Sequence, residues 1–218
     1  MARKFKKSKV SICVFCEGES EQAYIDFLKS EFHDVAVFKQ PSSPGLFDDA
    51  DNRFKKDPGY RNYVDAIDEI WFFFDVEEKD IGNWTNRLEI IKRLRKLRKD
   101  PKIRVRLLMT TGCIEYWLML HYRHLAPSLL TVPDKERMLA QVVNMEPTYR
   151  KGNYDATARI AQNYPTAVKN ATIVLQNLLQ EGMPGLEDTD ERNRWLCTKC
   201  KTFSTAQEAI VFLEGLQS

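Results

Sequence analysis

Five consecutive large apolar residues, Ile70-Trp71-Phe72-Phe73-Phe74, run straight into Asp75 and an acidic stretch, Val76-Glu77-Glu78-Lys79-Asp80. A run this short, unbroken and aromatic fits a strand buried on both faces, the kind found in parallel sheets covered by helices. Such a strand dictates an α/β architecture, because parallel strands need crossover connections. It also places Asp75 at the carboxyl end of the strand, where open α/β sheets hold their sites. If extended geometry persists, Asp75 and Glu77 leave the same face. Two carboxylates there supply hard oxygen ligands for a divalent cation such as Mg²⁺; a solvated turn ending the strand is the plainer reading.

A second acidic cluster lies near the N-terminus: Ser11-Ile12-Cys13-Val14-Phe15-Cys16-Glu17-Gly18-Glu19-Ser20-Glu21. Its apolar part reads as the first strand. Gly18 permits a tight turn, Ser20 is an expected helix N-cap, and Tyr24, Phe27 and Leu28 give the next helix an apolar face. Glu17 then stands at a strand-to-helix turn, level with Asp75, and carboxylates from two adjacent strand ends can cradle a metal. Glu19 and Glu21 also suit the first turn of a helix simply as dipole partners.

Glu17-Gly18-x-x-Glu21 after a first strand, with Asp75-x-Glu77 after a later one, resembles the Toprim catalytic fold. A third segment, Thr110-Thr111-Gly112-Cys113-Ile114-Glu115-Tyr116-Trp117-Leu118-Met119-Leu120-His121, resembles the Ser-Asn-Pro-x-Phe-Glu-x-Trp-x-x-x-His stretch of the RloB-like family, which is Toprim-related. Tyr149-Arg150-Lys151-Gly152-Asn153-Tyr154-Asp155 resembles a lysine-bearing segment of the same family. The ordered set spans Val10 to Tyr154. The chain departs from the pattern in having Asp75-x-Glu77 for the usual Asp-x-Asp, and Thr111-Gly112 for Asn-Pro. The resemblance implies a Mg²⁺- or Mn²⁺-dependent nuclease in bacterial antiviral defence, of the abortive-infection kind and beside an ATPase partner. In that scheme Asp75, Glu77 and Glu21 are metal ligands, and Glu17 and Glu115 are catalytic. The departures leave a second reading open, a non-catalytic subunit that binds nucleic acid or the ATPase, and a third, nucleotidyl or primase-like transfer. A homo-oligomer is compatible with each.

Net charge is only +2, from 33 Lys and Arg against 31 Asp and Glu, but the basic residues cluster. Arg3, Lys4, Lys6, Lys7 and Lys9 form an N-terminal arm. Lys92, Arg93, Arg95, Lys96, Arg98, Lys99, Lys102, Arg104 and Arg106 form a block whose helical part repeats Leu88, Ile91, Leu94 and Leu97 as a packing stripe. Arg95, Lys96, Arg98 and Lys99, with Lys151, are expected nucleic-acid contacts; a solvated helix face accounts for the block equally well. The two Cys-x-x-Cys pairs, Cys13/Cys16 and Cys197/Cys200, match a zinc-ribbon count, yet residues three apart in a strand point to opposite faces. Buried structural thiols are the expectation.

The expected plan is a basic arm at 1–9, a Toprim-like α/β domain at 10–125 with a parallel sheet and helices on both faces, and a helical C-terminal region at 126–218. Strands are expected at 10–16, 35–38, 69–75 and 103–109, with helices at 20–32, 61–67 and 84–99. Residues 41–60, rich in Pro, Ser, Asp and Gly, read as a long loop. Further helices are expected at 134–144, 155–162, 164–181 and 205–216, with breaks at Pro147, Pro165 and Gly182–Gly185. No apolar stretch approaches the ~20 residues that span a bilayer, and no apolar core follows the basic N-terminus, so a cytoplasmic chain without membrane partners is expected.

Overall fold

The computed structural model describes residues 9–199 and 201–217. Four parallel strands, β1 (Val10–Cys16), β2 (Ala36–Lys39), β3 (Glu69–Val76) and β4 (Arg104–Thr111), form a sheet in the order β2-β1-β3-β4. The aromatic run is the long inner strand β3, pairing with β1 from Ile12↔Glu69 to Cys16↔Phe73 and with β4 along its full length. Alternation divides its side chains: Trp71 and Phe73 enter one core layer with Ile12, Val14 and Cys16, while Phe72, Phe74 and Val76 enter the other with Cys13 and Phe15. Cys13 and Cys16 thus face opposite layers, and with Cys113 and Cys197 they are buried and free. Burial raises the Cys13 and Cys197 thiols to about 12, so neither is an available thiolate at neutral pH. Cys200 and residues 1–8 of the basic arm lie outside the described residues.

Helix α1 (Glu19–Glu31) follows β1 and lies on the first layer. Its N-cap is Gly18, not Ser20; Ser20 is a buried first-turn residue. The segment 41–60 is not a loop. It carries α2 (Phe47–Lys56) and the single turn α3 (Pro58–Arg61). Phe47, Ala50 and Phe54 recur at helical spacing and bury against the second layer, with Phe47 stacked on Phe72 at 4.2 Å between ring centroids. Asp49–Arg53 and Asp51–Lys55 pairs add support four residues apart. Turn-favouring residues at its margins mask this helix. The expected helix at 61–67 is a 3-10 turn at Val64–Ala66 only. Helix α4 (Trp84–Arg95) crosses back to β4 and ends one turn earlier than expected, though its stripe of Leu88, Ile91, Leu94 and Leu97 does pack inward.

Beyond β4 the described chain is largely helical: α5 (Ile114–Leu120), α6 (Val132–Met145), α7 (Tyr154–Ala161), α8 (Tyr164–Gln180), α9 (Asp190–Thr198) and α10 (Gln207–Gln217). Helix α9, capped by the Thr189 side chain, was not anticipated from the sequence. These helices pack on both layers. Helix α8 wraps past the β4 side, giving Ala167 and Ala171 to one layer and Val174, Leu175 and Leu178 to the other. Residues 203–205 close the outer edge of β4: Thr111 N donates to Phe203 O, Thr205 N donates to Met109 O, and Thr110 and Ser204 form an antiparallel bridge. Among the described residues, no helix is long and apolar enough to cross a membrane.

Candidate active site at the carboxyl ends of the strands

Strand β1 ends at Cys16, and Glu17 continues it for one step, its N–H donating to Phe73 O at 3.0 Å. The Glu17 Oε2 then accepts from Asp75 N–H at 2.9 Å, tying the two strand ends together. Glu21 comes from the first turn of α1 and is buried; Glu115 comes from the first turn of α5 and is 1 % exposed. Glu17, Glu21, Asp75 and Glu115 line one open cavity of about 280 Å³, with Glu19 and Lys151 also in its wall.

The β4–α5 turn places Glu115 through Gly112, whose φ of +76° is the left-handed conformation glycine tolerates. A Cβ there would sit 2.8 Å from Leu129 O. This is the position at which the chain lacks the proline of the family pattern. The opposite wall is residues 149–153. Tyr149 is buried and its hydroxyl donates to Glu115 Oε1 at 3.2 Å; Lys151 Nζ stands 3.8 Å from the same oxygen. Gly152 N donates to Ser20 Oγ at 3.1 Å, docking this segment on α1, and Gly152 also has positive φ (+74°), with Glu19 where a side chain would go.

Electrostatically the cavity holds too much negative charge. Burial, then the charges of Glu21, Glu17, Glu115 and Glu77, pushes the Asp75 carboxyl well above its usual range. Its Oδ1 is shut off from solvent and has no hydrogen-bond partner. Burial is also the main cause raising Glu21 to about 7, with Glu17 and Glu115 adding to it and the backbone N–H groups of Glu21 and Gly18 opposing it. An orphaned carboxylate oxygen among like charges is the environment a cation relieves. The donors are all hard oxygens, which suits Mg²⁺ or Mn²⁺. Among the described residues no three Asp, Glu, His or Cys side chains close on one point as a ready-made metal cage. Such a cation would therefore take one or two carboxylates and fill its remaining positions with water and phosphate, the usual habit of Mg²⁺.

The residues picked out by sequence separate into groups. Glu17, Glu21, Asp75, Glu115 and Lys151 meet at this cavity. Glu77 does not line it, because β3 ends at Val76 and the same-face geometry ends with it. Glu77 instead caps a 3-10 turn (Glu78–Asn83), in a reciprocal capping box with Asp80, and forms an ion pair with Lys135. The basic block lies at the other end of the sheet. Helix α4 runs back against the strands, so Arg98 reaches Asp65 O and Pro101 O beside the starts of β3 and β4, about 20 Å from Asp75 at ~3.3 Å per residue. Arg95 makes a two-pronged contact with Asp190, Arg93 pairs with Asp51, and Arg106 pairs with buried Glu69; Lys96 and Lys99 are exposed. His121 is not at the cavity. It is fully buried, with Nδ1 at 3.0 Å from Trp117 O and Nε2 at 3.1 Å from the Tyr24 hydroxyl. A carbonyl only accepts, so Nδ1 carries the proton and Nε2 accepts from Tyr24; burial lowers its pKa to about 4. Tyr149 and Ser20 carry roles at the cavity that sequence reasoning missed. Tyr149 stood inside the lysine-bearing segment, but its reach to Glu115 depends on tertiary packing.

No curated protein matches the chain. A family model described as RloB-like protein matches residues 12–202. That match takes in both strand-end carboxylates, the α5 turn and the 149–153 wall, so the chain belongs to the RloB-like protein family.

Proposed function

We propose that this chain is a Mg²⁺- or Mn²⁺-dependent nuclease that hydrolyses phosphodiesters of RNA or DNA in bacterial antiviral defence, working with an ATPase partner. The observation that carries the reading is Asp75: a buried, unpartnered carboxylate oxygen at a strand end, ringed by Glu17, Glu21 and Glu115. Asp75 and Glu21 would hold the ion, with Glu77 removed from that role by its pairing with Lys135. When bound, the ion supplies Lewis-acid stabilisation of phosphate charge and a water acidic enough to attack at neutral pH. Glu17, with Oε2 fixed by the Asp75 N–H, takes the proton of the attacking water on its other oxygen. Glu115 is held in place by Tyr149 and Lys151 and completes the negative wall that retains the cation. Lys151, on the rim, offers its ammonium to the phosphate. The Toprim-like arrangement of Glu17-Gly18-x-x-Glu21 and Asp75 supports this assignment.

The diversion of Glu77 favours the rival, a subunit that binds without cleaving. Asp75→Ala and Glu17→Ala, each assayed on labelled tRNA, single-stranded RNA and plasmid DNA with Mn²⁺ or EDTA, separate the two. The nuclease reading expects Mn²⁺-dependent cleavage by the parent and a loss of at least 100-fold in each variant, the scale of general acid–base and metal contributions. Full activity in both variants rejects the assignment. Salt-sensitive binding with no turnover by the parent supports the subunit.

A further inference from the structure

The basic block points away from the acidic cavity, and most of its arginines are committed to internal partners. A substrate reaching Asp75 needs positive charge at the other end of the sheet. Besides Lys151 on the cavity rim, two further lysines stand there. Lys135 and Lys201 both line a small cavity with Val76, Glu77, Glu78 and Thr111, next to the strand ends that carry Asp75 and lead to Glu115. Lys201 and Leu130 also line an adjoining groove of about 290 Å³. That groove is lined by the aliphatic side chains of Leu130, Val174 and Leu178 and by the polar groups of Ser128, Asn177, Glu181 and Thr202. Leu130 is 53 % exposed. The groove lies between α8 and residues 123–131, an irregular strap held down by Thr202 Oγ1 donating to Pro127 O and Tyr116 hydroxyl donating to Leu125 O.

We propose that this path, from Asp75 past Lys135 and Lys201 into the Leu130 groove, binds a single-stranded nucleic acid, phosphates on the two lysines and one base in the groove. It rests on the nuclease reading for its direction and deepens it by naming the substrate as a single strand. Each lysine is now held by one carboxylate, Lys135 by Glu77 and Lys201 by Glu181 at 2.5 Å. The pairs are partly exposed, and exposed pairs of this kind are weak, so a phosphate can exchange for the carboxylate. A base in a concave aliphatic pocket must be unstacked, which a duplex resists and a single strand allows.

The test is binding without turnover: fluorescence anisotropy in EDTA with short labelled RNA and DNA single strands and the matching duplexes, over a range of salt. Lys135→Gln/Lys201→Gln should bind single strands about 10-fold more weakly, with a salt slope smaller by about 1.4, roughly 0.7 per lost phosphate contact. Leu130→Ala should weaken binding with the slope unchanged. Lys96→Gln/Lys99→Gln, at the far end of the sheet, should match the parent. Tight binding of RNA, DNA or both satisfies the proposal. It is overturned if the parent binds neither, prefers duplex, loses as much in the Lys96/Lys99 variant, or loses nothing in the Lys135/Lys201 variant. Should the double variant fail to give the parent's thermal melt, Lys201→Gln alone carries the test, with half the slope change. Because EDTA suppresses any metal chemistry, failure here is separable from failure of the Asp75 and Glu17 assays.

Discussion

Glu21 and His121 are both buried, and burial moves their protons in opposite senses. Glu21 is raised to about 7, so the folded state holds its proton more tightly than the unfolded chain does. Its contribution is present below about 4.5 and is lost as pH rises through 7. His121 is depressed to about 4; its contribution is present above about 6.5 and is lost as pH falls through 4. Glu21→Gln mimics the protonated form. In EDTA it should stabilise the protein at pH 8 by an amount bounded near 3 kcal/mol, from ~1.4 kcal/mol per pKa unit, and the gain should vanish at pH 4. Urea titrations at the two pH values read this directly; an equal effect at both would mean that burial of the charged carboxylate, with the charges of Glu17 and Glu115 beside it, is not what Glu21 experiences. The same variant should lower metal affinity, so stability and site chemistry oppose each other at this residue.

Helix α2 shows where sequence reading stopped. Phe54 is buried against Phe15 and Tyr60 at centroid separations of 6.2 and 5.5 Å. Phe54→Ala should therefore cost about 3 kcal/mol in chemical denaturation, as aromatic core truncations do; a change within ~0.5 kcal/mol would be the behaviour of a surface loop. The periodicity of Phe47, Ala50 and Phe54 was present in the sequence but lay among Pro, Gly and Asp, whose local preferences dominate a first reading. The four strands and helices such as α1 and α4 were legible because buried parallel strands are continuous apolar runs and those helices carry clear stripes. The meeting of Glu17 and Asp75 was foreseeable from strand-end logic, whereas Glu21 and Glu115, on the first turns of α1 and α5, came from the family resemblance. Glu77 was not placed correctly by that logic, because period-two alternation holds only while the strand lasts, and β3 stops one residue earlier. The edge made by residues 203–205 and the reach of Tyr149 to Glu115 depend on contacts distant in sequence, which no local pattern encodes.

For the molecule as a whole, the acidic cavity is a cost to folding that the proposed cation would offset. A divalent ion that binds only the native state raises stability by mass action, and it competes with protons for Asp75 and Glu21. Mn²⁺ should therefore raise the Tm by several degrees at pH 8 and by much less at pH 5, where those carboxyls hold protons. A shift of equal size at both pH values would place the ion elsewhere. The edge strand β4 has a consequence of another kind. Its outer hydrogen bonds are completed by Phe203, Ser204 and Thr205, more than ninety positions further along the chain. During translation β3 and β4 can pair early, but the β4 edge stays open until those residues have cleared the ribosome. A nascent chain therefore carries the Asp75 strand end long before it owns a closed sheet.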